Sequence, residues 1–99
     1  MHVIKSTSLK DKTLGLLGKE KGSAILIKTH FGIHTFGMRF SIDVLILDGN
    51  NKVVRLVEDL QPNRTFFWSP IFDKVIELTS GAIQKDKIKL NDIIKLQYS

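Results

Sequence analysis

One short stretch limits the folds open to this chain more than any other. From Ile42 to Leu47 five of six residues are Ile, Val or Leu, and the sixth is Asp43. A run this short, rich in β-branched residues and closed by Asp48-Gly49-Asn50-Asn51, reads as a strand buried on both faces. A helix of that length is marginal, and Asp-Gly-Asn is turn chemistry that tolerates positive φ. In an extended chain Arg39, Ser41 and Asp43 point one way, and Phe40, Ile42 and Val44 the other. Asp43 is thus expected on a crowded side of a sheet.

A carboxylate in that position must be hydrogen-bonded or paired, because an unpaired buried charge costs several kcal/mol, comparable to a domain's whole net stability. Arg39, His34, Thr35 and nearby backbone amides are its available partners. Three readings stay open at this stage, the plainest being an Asp that is simply exposed. In one, Asp43 is a structural group that ties strand to loop. In another, it is a ligand-binding or catalytic carboxylate.

The same residues resemble a prokaryotic family, the "domain of unknown function 192" proteins. One branch of that family looks like His-Thr-x-x-Met-Arg-Phe-Pro-Ile-Asp-Val. Here the stretch is His34-Thr35-Phe36-Gly37-Met38-Arg39-Phe40-Ser41-Ile42-Asp43-Val44, with Ser41 in the place of Pro. The likeness continues at Leu60-Gln61-Pro62-Asn63-Arg64, where the family tends to Leu-x-Pro-Trp-Arg. It continues again at Val75-Ile76-Glu77-Leu78-Thr79-Ser80-Gly81, and at Leu90-Asn91-Asp92, where a Gly-Asp pair is common. The resemblance implies a mostly β domain with a small helical element, and says little about function. Asn63 in place of Trp puts an aromatic groove wall in doubt.

The rest of the chain agrees with one α+β, mostly β domain over residues 1–99. Strands are expected at 2–6, 24–28, 42–47, 52–58, 74–79, 87–90 and 93–98, with a short helix over about 8–18 and a helical piece at 82–85. Turn signals at regular spacing favour a small barrel-like or two-sheet antiparallel arrangement. Residues 59–73, with two prolines, one arginine and four aromatics, form the longest expected loop.

The chain has 99 residues, no cysteine and a net charge of +5. Disulfide and thiolate chemistry are therefore closed to it. The charge favours anionic partners, but it comes mainly from scattered lysines rather than a basic block. No run reaches the roughly 18 apolar residues of a membrane span. The N-terminus lacks a signal-peptide core, so a cytoplasmic setting is expected, although the resemblance implies that many relatives are exported.

No phosphate-binding glycine loop occurs. His30 and His34 are four apart, but in a strand that spacing separates them by about 13 Å. Zinc needs ligands at about 2 Å, so no metal and no cofactor is expected. The reading is a non-catalytic binding or accessory module for a small anionic or polar ligand. Its candidate site residues are His34, Thr35, Arg39, Asp43, Arg64 and Glu77, with Phe66, Phe67 and Trp68 as an aromatic wall. The second reading is a small hydrolase-like enzyme using Asp43 and His34. The third is weak single-stranded nucleic-acid binding, with Arg64 beside stackable rings.

Overall fold

The structure, a computed structural model, describes residues 1–6, 24–30 and 32–98. The helix expected over 8–18 lies outside the described residues.

The first strands are β1 (His2–Ser6), β2 (Ala24–Lys28), the short β3 (Ile33–His34) and β4 (Ile42–Leu47). They are followed by β5 (Val53–Leu60), the short β6 (Thr65–Phe66), β7 (Lys74–Thr79), the helix α1 (Ala82–Lys85) and β8 (Gln97–Tyr98). Six strands form one sheet in the order β5-β4-β7-β2-β1-β8, and β3 pairs with β6 in a second, two-stranded sheet. β4 is antiparallel to both neighbours, and all six of its residues are buried. This agrees with the strand read from the sequence.

Two expectations are corrected. The sheet is mixed, because β1 runs parallel to both β2 and β8. Parallel partners need a crossover of a dozen or more residues, a length residues 7–23 supply. The sheet is also open rather than barrel-like, with β5 at one edge and β8 at the other. Closure would require those two edges to pair. β8 has only two residues, and β5 carries a bulge: the partners of β4 step from Leu60 at Ile42 to Val57 at Val44. Asp59, inside that bulge, has φ 57°. Such an insertion turns an edge away from further pairing.

Alternate side chains of the sheet feed two cores. Leu26, Leu45, Leu47, Ile76 and Leu78 pack with Ile83 of α1 and with Ile88 and Ile94 beyond it. Ile25, Ile27, Ile42, Val44, Ile46 and Val75 pack with Ile33, Met38 and Trp68 on the opposite side. A sheet covered on both faces explains why β4 is a continuous apolar run. Each fully buried aliphatic residue there contributes about 1.5–3 kcal/mol of transfer free energy.

The β4–β5 hairpin closes as its residue types suggest. Oδ1 of Asp48 accepts the N–H groups of Asn50 and Lys52 at 2.8 and 2.9 Å. The positive φ falls on Asn51, at 63°. An asparagine tolerates that conformation better than most residues.

The C-terminal segment departs from the expected strands. After α1, Lys87 N–H meets the Gln84 carbonyl and Ile88 N–H the Ile83 carbonyl, at 3.2 and 3.0 Å. Lys87 has φ 55°. This is a Schellman termination, and its two apolar ends, Ile83 and Ile88, share the first core. Asn91 follows with φ 72°. Residues 89–92 close into a turn, Asp92 N–H meeting the Lys89 carbonyl at 3.2 Å and Lys89 N–H the Asp92 Oδ2 at 2.9 Å, so of the strands expected at 87–90 and 93–98 only an isolated bridge, Ile93 to Lys52, and β8 remain among the described residues.

Candidate functional site

Asp43 has no exposed surface. Its Oδ1 accepts the N–H of Asp59 at 2.9 Å. Its Oδ2 accepts the N–H groups of Gly81 and Ile83, at 3.1 and 2.9 Å. Gly81 is the N-cap of α1, has φ 94° and supplies no side-chain cap. Asp43 performs the capping from the neighbouring strand, satisfying N–H groups that the first helical turn leaves without acceptors. One carboxylate thus joins the bulge of β5 to the start of α1.

Asp59 is the second hub. Its Oδ1 accepts the hydroxyls of Ser41 and Ser80, and its Oδ2 accepts Gln61 Nε2–H at 3.0 Å. The Ser41 hydroxyl, then that of Ser80, holds the Asp59 carboxyl below the ordinary carboxylate range. Ser41, which stands where the family pattern has proline, is therefore part of this cluster.

Thr35 is fully buried. Its hydroxyl donates to the Gln61 carbonyl at 2.7 Å and accepts the Arg64 N–H at 2.9 Å. Its own N–H meets the Arg64 carbonyl at 2.9 Å, and its carbonyl accepts the Asn63 N–H at 3.0 Å. Thr35 therefore fastens residues 61–64 onto the β3 end. Asn63, with φ 61°, presents Oδ1 to the Gly37 N–H at 3.3 Å and offers no aromatic wall.

The side chains that surround an opening are different ones. A cleft of about 160 Å³ is lined by Gly32, His34, Phe36, Thr65, Phe67 and Glu77, together with Ile33. The His34 and Phe36 rings stack with centroids 4.9 Å apart. His34 Nδ1 accepts the Phe36 N–H at 3.3 Å, leaving the proton of a neutral ring on Nε2. Phe36 and Phe67 are 52% and 64% exposed, whereas Glu77 is 2% exposed. Gly32 is required for this shape. It has φ 92°, and a Cβ there would stand 2.5 Å from Phe67 Cδ1 and 2.8 Å from the Phe66 carbonyl oxygen.

Of the residues singled out in the sequence, His34, Glu77 and Phe67 meet at this cleft. Asp43 and Glu77 do not meet. Val44 is the cross-strand partner of Glu77, and Leu78 that of Asp43, so the two carboxylates project from opposite faces. Arg39 and Arg64 are exposed and do not line the cleft. Phe66 is half-buried beneath the Arg55 guanidinium, 4.9 Å from its ring centroid. Trp68 is buried, and its Nε1–H donates to the Phe72 carbonyl at 2.7 Å. His30 and His34 are engaged apart, His30 Nδ1 with the Pro70 carbonyl at 2.6 Å. Among the described residues no three His, Asp or Glu side chains are grouped to hold a metal ion.

Sequence reasoning missed Gly32, Phe36 and Thr65 as cleft residues, and Asp59 as a hub. The two glycines flanking the His-Thr-Phe segment were the available signal for a bend at the cleft. Nothing local marked Asp59.

An open mixed sheet with cores on both faces and a minor two-stranded sheet beside it defines the architectural class. The family profile of domain of unknown function 192, described as "Uncharacterized ACR", matches residues 3–96. The chain belongs to that family. A protein of unknown function from Novosphingobium aromaticivorans DSM 12444 has a similar fold, with a TM-score of 0.76 at 11% identity over 95% of this chain and 73% of the other. A candidate transcription regulator from Sinorhizobium meliloti 1021 is also similar, with a TM-score of 0.72 at 12% identity over 95% of this chain and 79% of the other. At such identities the likeness is one of fold. No curated protein matches the sequence. Among the described residues no helix is long and apolar enough to cross a membrane.

Proposed function

We propose that residues 1–99 act as one domain, a non-catalytic binding module whose site for a small polar ligand is the cleft between the β3–β6 pair and Glu77. The observation that carries this reading is the contrast at the cleft. Two phenylalanine rings are more than half exposed at its rim, and a carboxylate only 2% exposed lines it. Exposed apolar rings around a concavity with a placed polar group are the usual composition of small-ligand sites.

The cleft favours the polar over the anionic ligand class, because none of Arg39, Arg55 and Arg64 is among its lining residues. Hydrolysis by Asp43 and His34 draws less support. Such a carboxylate must be reachable by water and substrate, and Asp43 is sealed beneath three backbone N–H groups. Single-strand stacking draws support from Phe67 alone of its three rings, since Trp68 is buried and Phe66 half-covered.

Titration of the ¹⁵N-labelled protein with a library of small polar fragments tests the reading. Binding in the cleft shifts the amide signals of Gly32, His34 and Phe67, and Phe67→Ala weakens those shifts. A library that leaves these amides unmoved, or moves them equally in Phe67→Ala, overturns it.

A further inference from the structure

We infer that the part of the ligand this cleft recognises is a single planar aromatic ring with a hydrogen-bond acceptor on its edge; the inference rests on the binding reading above. Phe36 and Phe67 line the cleft and are 52% and 64% exposed, yet each lies against the protein. Phe36 stacks on His34, with centroids 4.9 Å apart and planes 24° from parallel. Phe67 lies over Gly32, so near that a Cβ there would stand 2.5 Å from its Cδ1. Rings already oriented by the protein lose little freedom when a further ring joins them. Offset or edge-to-face contacts between rings add attraction beyond the area they cover.

The polar part of the recognition falls to His34. It lines the cleft, and its Nδ1 accepts the Phe36 N–H, so the neutral imidazole keeps an Nε2–H donor for an acceptor on the ligand. Glu77 is 2% exposed and takes part in an interaction within the protein. The contacts open to a ligand are therefore those of the rings and the imidazole.

Size sets the limit at one ring. A cavity of about 150 Å³ takes benzene, and this cleft measures about 160 Å³. A sugar ring of similar volume carries hydroxyls round its whole edge. Pressing them onto Ile33, Phe36 and Phe67 would leave several without partners. A saturated ring or an aliphatic chain would cover the same apolar area without the attraction between aromatic rings. An anion would find no arginine or lysine among the lining residues.

Benzamide and cyclohexanecarboxamide share a carbonyl acceptor and nearly the same size, but only benzamide is planar and aromatic, so the two are titrated in parallel by NMR. Benzamide is expected to shift the amides of Gly32 and Phe67 and to show intermolecular NOEs to the Phe36 and Phe67 ring protons. It should bind about fivefold more tightly than the saturated amide. Phe67→Leu keeps apolar area at an exposed position but removes the ring, and should narrow that preference. Phe36→Leu removes the other ring and decides the matter if Phe67→Leu fails to fold. His34→Phe keeps a ring for Phe36 to stack on but removes the Nε2–H donor, and should weaken benzamide about fivefold. Equal binding of the two amides, or a preference that survives both leucine variants, overturns the aromatic inference and leaves the binding reading standing. Benzamide bound equally well by His34→Phe overturns the assignment of the acceptor contact. Methyl β-glucoside binding as tightly as benzamide overturns the inference in favour of a sugar. If neither amide nor any polar fragment binds, both the inference and the binding reading fall.

Discussion

Asp43 and Glu77 are the two buried carboxylates of the large sheet, and they stand back to back. Asp43 lies opposite Leu78 on the face covered by α1, while Glu77 lies opposite Val44 on the face covered by Met38 and Trp68. The separation divides their work. Asp43 faces backbone N–H groups and joins three elements, whereas Glu77 faces the cleft.

Replacing Asp43 therefore acts on stability. Asp43→Ala leaves three N–H groups without an acceptor, at a cost of about 3–5 kcal/mol. Asp43→Asn keeps one oxygen but turns an NH₂ group toward a donor, and about 1–3 kcal/mol is expected. Urea unfolding measures both. An Asp43→Ala protein as stable as wild type would refute the capping role.

Thr35→Val preserves shape and removes the hydroxyl that serves Gln61 and Arg64. Leaving those backbone groups unsatisfied costs about 1–3 kcal/mol. Hydrogen exchange at Arg64 should accelerate in step with the loss. Unchanged protection there would show that residues 61–64 are held by something else.

Acid should weaken the fold through Asp59 and Asp48. Asp59 is depressed first by the Ser41 hydroxyl, and Asp48 first by the Lys52 backbone N–H. A carboxyl depressed in the folded state binds its proton more readily in the unfolded chain. Its stabilisation is present above the unfolded value near 3.8 and is lost as pH falls through the folded value. The urea midpoint should stay level down to about pH 5 and fall below about pH 4. The double variant Ser41→Ala/Ser80→Ala should flatten part of that fall, and an unaltered acid limb would contradict the assignment.

Lys87 holds a left-handed conformation that costs an ordinary residue about 1–2 kcal/mol. Lys87→Gly removes that strain and adds unfolded-state entropy worth about 0.5–1 kcal/mol, so a net gain of about 0.5–1 kcal/mol is expected. Lys87→Ala retains the strain and serves as the control. A gain from alanine equal to that from glycine would rule out relief of strain as the cause.

The departures from the family pattern become intelligible in three dimensions. Asn91 stands where a glycine is common, and its φ of 72° is a conformation that asparagine tolerates. Ser41 places a hydroxyl on Asp59. Asn63 exchanges a ring for an acceptor on the Gly37 N–H. The partners of Asp43 were harder to read. Backbone amides were an available class, but those used lie 16, 38 and 40 residues away, beyond any local pattern.

Local chemistry was enough to identify β4 as a strand buried on both faces, Asp48–Asn51 as its turn, and Ala82–Lys85 as helical. Each depends on residue types within a few positions of one another. The open, mixed sheet and the composition of the cleft depended on contacts between distant segments. Alternation fixes which side chains share a face within one strand, but the relation between strands is set by register. A slip of one residue would exchange the faces. Only the pairing of β4 with β7 therefore decided that Asp43 became a hidden fastening and Glu77 the lining of a cleft.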